Sequence, residues 1–128
     1  MAEFLVDRSL GRHVVPNAVR AQGHTVHTLW SVYGDAEQDL ADTEFLGDAG
    51  RHGWAVLTGD MRIRRVAHEL AVVEAEGVRM FALPRGHLRG VEQAARFVDN
   101  LPAILRACDR PGPYIYAVLR DRIERRWP

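Results

Sequence analysis

Two aspartates follow short apolar segments of the sequence. Asp7 closes the run Phe-Leu-Val near the start of the chain, and Asp60 ends the triplet Thr-Gly-Asp that follows Trp-Ala-Val-Leu. In open parallel sheets, ligand sites form in the crevice beyond the carboxyl ends of the strands. If these two segments are neighbouring strands, we expect both carboxylates to converge there. Asp42, at the start of a predicted helix between them, would supply a third.

Clustered carboxylates predict a particular chemistry. Like charges held close together would force some carboxyls to protonate unless a cation lies between them. Mg²⁺ or Mn²⁺ prefers such oxygen ligands and can activate water for displacement at a phosphodiester. We therefore treat Asp7, Asp42 and Asp60 as candidate metal ligands and catalytic residues. The Thr58 hydroxyl is a fourth candidate, because it could orient Asp60 or a water.

Arginines surround these positions, and the chain contains no lysine. Residues 1–50 hold three arginines against eight acidic residues, whereas residues 51–128 hold fourteen against nine. The net charge of zero excludes a global basic field, so any nucleic-acid contact must come from local clusters. Arginine suits phosphate recognition because its planar guanidinium can bind two oxygens at once. The candidates for substrate binding are Arg8, Arg12, Arg62 and Arg65, with Arg64 in the same run.

Each feature also has a plainer interpretation. An aspartate after a strand is often a turn or cap residue, and Asp42 alone is typical of a helix N-cap. The arginines after Asp60 are typical of a solvated helix start. Glu69 could complete the acidic group, but an exposed helix face is the favoured interpretation. His24 and His27 lack zinc-ligand spacing and are interpreted as structural.

The composition indicates one domain spanning residues 1–128. A hydrophobic fraction of 47% is enough for a core, and no apolar run reaches the length of a membrane span. The start of the chain does not resemble a signal peptide. Cys108 is the single cysteine and can form no internal disulfide, so the expected location is the reducing cytoplasm.

Short uninterrupted apolar segments alternate with helical patterns along the chain. This alternation is typical of a parallel sheet covered on both faces, so the predicted fold class is a three-layer α/β/α domain. A loop is predicted for "SVYGDAEQD", and Pro102 should kink or split the last helix. Strands are predicted at 3–6, 25–29, 54–57, 78–83 and 114–119, and helices near Pro16 and at 42–52, 66–76 and 90–108, followed by a charged tail.

Three stretches carry a family resemblance: "FLVD", "DTEFL" and "GWAVLTGDMRIRR". Over roughly residues 3–83 the chain resembles the PIN domain, and within that group the small proteins related to VapC toxins. The resemblance implies an α/β/α sheet, a Mg²⁺- or Mn²⁺-dependent ribonuclease, a cognate antitoxin partner and a homodimer. It assigns acidic positions to Asp7, Asp42 and Asp60, with Thr58 as the partner of Asp60.

The sequence departs from the family pattern after the first and third acids. Arg8 follows Asp7 where relatives often have Glu or Asn, and arginines occupy the region where many carry a fourth acid. Glu69 is the nearest substitute for that acid, and Glu44 or Asp39 would replace Asp42 if the register differs.

Three functions compete on these residues. The leading hypothesis is a metal-dependent endoribonuclease acting as the toxin of a toxin–antitoxin pair. The second is a PIN-like binding module without catalysis that acts through RNA or a protein partner. The third is a phosphohydrolase with Asp7 as nucleophile, which ranks last because Ser9 stands where such enzymes need a second aspartate.

Overall fold

The computed structural model describes residues 2–84 and 86–128. Their helices and strands alternate along most of the chain, as predicted. Three 3₁₀ turns, at Arg8–Leu10, Gly34–Asp39 and Met61–Arg65, connect the regular elements. The strands are β1 (Glu3–Val6), β2 (Thr25–Thr28), β3 (Ala55–Thr58), β4 (Arg79–Ala82), β5 (Tyr114–Val118) and β6 (Ile123–Trp127); the helices are α1 (Val14–Arg20), α2 (Leu29–Tyr33), α3 (Asp42–His52), α4 (Ala67–Ala75), α5 (Gly90–Asp99) and α6 (Leu101–Cys108).

The strands form one sheet in the order β2-β1-β3-β4-β5-β6. The first five are parallel, and β6 returns antiparallel to β5. β1 and β3 are direct neighbours, and the Asp7 amide donates to the Leu57 carbonyl at 3.1 Å. The two strand ends that carry the predicted acids therefore lie side by side, which confirms the adjacency on which the site depends.

Alternate residues of each central strand enter two separate cores. Phe4 and Val6 of β1 pack with residues of α1, α5 and α6, whereas Leu5 packs with residues of α2, α3 and α4. The same alternation places Phe81 in the first core and Met80 in the second. Because both faces are covered, the central strands are largely apolar rather than alternating with polar residues. The predicted three-layer α/β/α class is confirmed.

The end of α3 shows how local sequence sets an element boundary. Arg51 and His52 occupy its last turn, where they complement the negative end of the helix dipole. Gly53 then adopts a left-handed conformation with φ of 75°, which glycine reaches without a Cβ penalty, and its amide donates to the carbonyls of Ala49 and Gly50. The chain can therefore turn directly into β3.

Other segments refine or correct the sequence predictions. The helix predicted for 90–108 is split, as Pro102 suggested: α5 ends at Asp99, and Pro102 lies in the first turn of α6. The predicted loop at 31–39 was wrong, because it contains the end of α2 and a 3₁₀ helix.

The charged tail contains β6, which sequence analysis did not predict. Edge strands often carry charged residues that discourage pairing with other chains, and the sequence of β6 is Ile-Glu-Arg-Arg-Trp. Within the described ranges, no helix has the length and apolar character needed to cross a bilayer.

Candidate active site

Asp7 and Thr58 meet at the carboxyl ends of β1 and β3. The Asp7 side chain is almost fully buried, with 5% of the residue exposed, and Thr58 is completely buried. The Thr58 hydroxyl donates to Asp7 Oδ2 at 2.5 Å and accepts the Asp60 amide at 3.0 Å. Thr58 therefore holds Asp7 directly, and its hydroxyl also orients the backbone of Asp60, which is one of the two roles predicted for it. Its catalytic role stays a prediction.

Ser9 is a second partner of Asp7 that sequence reasoning missed. Its amide donates to Asp7 Oδ1 at 2.9 Å, and its hydroxyl donates to the same oxygen while accepting the Gly59 amide at 2.9 Å. A Cβ at Gly59 would lie 3.2 Å from both Ser9 Oγ and Leu10 Cδ2, so this close approach favours glycine. The Asp-x-Ser spacing, typical of an aspartate capping a short turn, was the available signal.

Burial is the largest electrostatic effect on Asp7. Removal from water raises the pKa of its carboxyl, and this outweighs the donors from Ser9 and Thr58 that lower it. The nearby Asp42 carboxylate raises the pKa further. Asp7 is therefore both a cap of the 3₁₀ turn Arg8–Leu10 and a buried acid in the field of another acid. The structure thus bears out the capping interpretation of Asp7, and its assignment as a metal ligand and catalytic residue stays a prediction.

Asp42 and Glu69 bring the helical layer into the group. Asp42 is the first residue of α3, whose N-cap is Ala41, so the prediction that Asp42 caps the helix was wrong. Glu69 lies in the first turn of α4, where it is only 9% exposed. The favoured interpretation of Glu69 as an exposed helix residue was therefore also wrong.

The Asp42 and Glu69 carboxyls repel each other. Burial, together with hydrogen bonding to Asp42 and repulsion from it, raises the pKa of Glu69 from 4.5 to about 7. Asp60 contributes further repulsion, and Arg62 opposes it. At neutral pH the Glu69 carboxyl is therefore protonated for part of the time, which is expected of a carboxyl in an acidic group without a cation.

Asp60 is paired with an arginine from its own turn. Arg62 donates from Nε to Oδ1 and from Nη2 to Oδ2, both at 3.0 Å, and its amide donates to Oδ1 at 2.8 Å. Hydrogen bonds from Arg62 lower the pKa of Asp60 despite partial burial. The Arg62 side chain is 86% exposed, so the pair is solvated and its strength modest. The arginine predicted to bind phosphate thus neutralises Asp60 in this structure.

The other predicted residues divide between the site and its surroundings. Arg8 donates to the Leu40 carbonyl at 2.7 Å, which ties the end of β1 to the segment before α3. Arg12 pairs with Glu37 at 2.6 Å and lies 4.6 Å over the Trp30 ring. Both arginines thus make internal contacts in this structure, and their role in substrate binding stays a prediction.

The fallback acids lie outside the acidic group. Glu44 is exposed, and its charge makes a minor contribution to the raised pKa of Tyr33. Asp39 is exposed in a 3₁₀ turn. Asp42 is therefore the helix-borne acid that shares a field with Asp7 and Glu69. We call Asp7, Asp42, Asp60 and Glu69 the acidic cluster.

The donor chemistry of the acidic cluster fits a hard divalent cation. All four groups are carboxyls, and the raised pKa of Glu69 shows negative charge that a cation would relieve. Among residues 2–84 and 86–128, however, no three His, Cys, Asp or Glu side chains form a ready-made ligand set. Asp60 is bound to Arg62 instead, so cation binding would have to compete with this pair.

A family comparison agrees with this geometry. The family described as PIN like domain matches residues 2–85, which include the whole acidic cluster. The chain belongs to the PIN-like domain family. This confirms the resemblance first seen in the Thr-Gly-Asp motif.

A relative extends the PIN-like similarity towards the C-terminus. A Mycobacterium tuberculosis protein named "Putative ribonuclease VapC45" is 37% identical over 123 residues, covering 95% of this chain and 89% of the relative. The C-terminal third, which sequence analysis left unassigned, is thus included in large part. No solved structure matches the chain significantly.

Proposed function

We propose that the chain is a single-domain, metal-dependent endoribonuclease that cleaves RNA phosphodiesters. The supporting observation is the group of four carboxyls at the carboxyl edge of the sheet, in which burial and then the neighbouring Asp42 and Asp60 raise the pKa of Glu69 to about 7. Sites in open parallel sheets form at this edge. The similarity to a relative whose name includes "ribonuclease" supports the same reaction class.

In this proposal Asp7, Asp42 and Asp60 hold Mg²⁺ or Mn²⁺, and Glu69 completes the set. When bound, the cation supplies charge for an activated water and for the phosphate oxygens at the scissile bond. Thr58 and Ser9 hold the buried Asp7 carboxyl in one orientation through hydrogen bonds. Such fixed orientation avoids reorganisation during the reaction.

The arginines take complementary roles. Arg62 and Arg65 lie on the turn that follows Asp60 and would contact the RNA backbone. Arg62 would release Asp60 when a cation replaces it. Arg8 and Arg12 lie beside the segment that leads into α3, and their remaining donors face solvent, so they would contact the RNA more weakly. Phosphate contacts of this type position a nucleic acid without reading its sequence.

The biological role proposed is the toxin of a type II toxin–antitoxin pair in the cytoplasm. The VapC-type resemblance and the similarity to a protein named after VapC support this role. A cognate antitoxin would then be the protein partner, and a homodimer the expected assembly. The test is co-expression with the product of the adjacent reading frame. Formation of a stable complex that suppresses RNA cleavage is expected, and free cleavage in its presence would contradict the pairing.

The catalytic test compares matched aspartate variants. RNA cleavage is measured with Mn²⁺ or Mg²⁺ and with chelator for wild type, Asp60→Asn and Asp42→Asn. The control is Asp39→Asn, which removes the same charge from an exposed position outside the acidic cluster. We expect the chelator and the first two variants to abolish cleavage and the control to retain it. Equal cleavage by Asp60→Asn and wild type would remove Asp60 from the mechanism.

A second function is favoured by one observation, the Arg62–Asp60 pair. If this pair excludes cations, the protein is a PIN-like binding module for RNA or a partner protein. Isothermal calorimetry with millimolar Mg²⁺ or Mn²⁺ separates the two functions. Heat of binding that disappears in Asp42→Asn supports the nuclease, whereas absence of binding supports the module.

A further inference from the structure

A groove lined by arginines lies next to the acidic cluster. A groove of about 360 Å³ lies between the 3₁₀ turn Met61–Arg65, the end of β4 and the edge strand β6. We call it the arginine groove. Its lining residues are Met61, Arg62, Arg64, Arg65, Pro84 and Arg126.

The arginine groove has an excess of unneutralised positive charge. The guanidinium groups of Arg64 and Arg65 have no hydrogen-bond or ion-pair partner among the described residues. Arg126 donates to Glu124 at 3.1 Å, but Glu124 also binds Arg122 at 2.9 Å. One carboxylate thus serves two arginines at this edge. Arg62 is also paired with Asp60. The excess positive charge of this concave surface therefore comes mainly from Arg64 and Arg65, and it favours an anionic ligand.

Arg62 makes the groove continuous with the acidic cluster. The same side chain lines the groove and holds the Asp60 carboxylate. A polyanion with one phosphate at the acidic cluster would therefore have its neighbouring phosphates beside Arg62 and then beside Arg64. In the part of the chain that the structure describes, no aromatic side chain on which a base could stack lines the groove, so backbone contact is the mode its chemistry favours.

The elements that form the groove are distant in sequence. Three of its arginines come from the turn after β3, which lies within the family match at 2–85, whereas Arg126 belongs to β6 near the C-terminus. Edge strand β6 therefore contributes one lining residue of the groove, Arg126.

We propose that the arginine groove is a second phosphate-binding site, with Arg64 and Arg126 as its main ligands. It holds the RNA backbone next to the scissile phosphate and binds RNA independently of its sequence. The inference rests on the proposed ribonuclease function for the choice of RNA as ligand. It assigns a binding role to Arg64 and to the C-terminal strand.

The test measures binding without cleavage. A fluorescently labelled, mixed-sequence single-stranded RNA is titrated with each protein in chelator over a salt series, and anisotropy is recorded. The variants are Arg64→Gln, Arg126→Gln and the double variant. The control is Arg106→Gln, which removes the same charge from an exposed position on α6. Arg106 lies away from the groove, in a separate pocket that it lines with Trp54 at the amino ends of the strands.

We expect each single groove variant to weaken binding several-fold and the double variant by more than tenfold. Each lost phosphate contact should reduce the slope of log affinity against log salt by about 0.7, the value typical of single strands. The loss should be the same for RNAs of different sequence. Arg106→Gln should match wild type. Melting temperatures confirm that all variants fold, and Arg64→Lys, which keeps the charge, should retain the wild-type salt slope.

Equal affinity and equal salt slope for the double variant and Arg106→Gln would overturn the proposal. The same titration with a labelled acidic peptide gives a second check. If the double variant loses binding to this peptide but binds RNA as wild type does, the groove is a protein site and the proposal is overturned. The proposed catalytic function is judged separately by cleavage with Mn²⁺. A wild type that binds RNA through the groove but does not cleave it refutes the nuclease and leaves the groove intact.

Discussion

Replacing Glu69 with glutamine should make the metal-free protein more stable. Glu69 is buried beside Asp42, and its pKa is raised to about 7. A carboxyl whose pKa is higher in the folded state than its ordinary 4.5 causes a loss of stability as the pH rises from about 4.5 to about 7, and the full penalty remains above that. Glutamine keeps the size and hydrogen-bonding capacity of the side chain and removes the charge.

The magnitude follows from the pKa. The difference between 4.5 and about 7 corresponds to at most roughly 3 kcal/mol at pH 8. Because Asp42 and the surrounding side chains relax, we expect Glu69→Gln to raise the free energy of unfolding by about 1–2 kcal/mol. For a domain of this size that is a rise in melting temperature of roughly 3–8 °C.

The assay is thermal unfolding in chelator at several pH values. The gain from Glu69→Gln should be present at pH 8 and should vanish near pH 4, where the wild-type carboxyl is protonated in both states. Glu74→Gln is the matched control, because Glu74 is an exposed glutamate on the same helix. It should change the melting temperature little at either pH.

Adding a divalent cation should make wild type more stable than Glu69→Gln. If Glu69 belongs to the proposed cation site, millimolar Mn²⁺ should stabilise wild type more than Glu69→Gln, since binding to the folded state adds stability. The reasoning would be refuted by a variant that is less stable than wild type at pH 8 in chelator. A stability gain that does not depend on pH would also refute it.

Two further predictions concern the contacts of the strand-end acids. Thr58→Val removes a buried donor to Asp7, so it should cost about 1–3 kcal/mol of stability. It should also raise the pKa of Asp7 further, which moves the rising limb of the cleavage pH profile upwards; an unmoved limb would contradict this. Arg62→Gln removes the solvated ion pair with Asp60, so the free energy of unfolding at pH 7 should change by less than about 1 kcal/mol. Mn²⁺ affinity in calorimetry should rise several-fold, and a fall would show that Arg62 does not compete with the cation.

Much of the architecture could be predicted from local sequence. The central parallel strands are largely apolar because both faces of the sheet are covered, and five of the six strands were predicted. Gly53 and Pro102 marked helix boundaries through backbone conformations that few other residues share. The fold class and the family resemblance were confirmed. Strand β6 escaped prediction because its pairing with β5, not its own composition, makes it a strand.

The candidate site was predictable only in part. Asp7 and Asp60 follow apolar strands, so their place at the carboxyl edge could be inferred from position alone. Ser9 was overlooked because its role depends on the approach of the Gly59 amide from another strand. Glu69 was misjudged because α3 covers it. The assigned catalytic roles stay predictions until cleavage is measured.

The sequence by itself determined which elements form and which acids end them, because strand pattern, caps and breakers act over a few residues. Only the tertiary structure decided which charges meet. The packing of α3 against α4 places Asp42 beside Glu69, and the return of β6 brings Arg126 to the turn after Asp60. Electrostatic interaction depends on distance in space and on burial, and neither quantity can be read from separation along the chain.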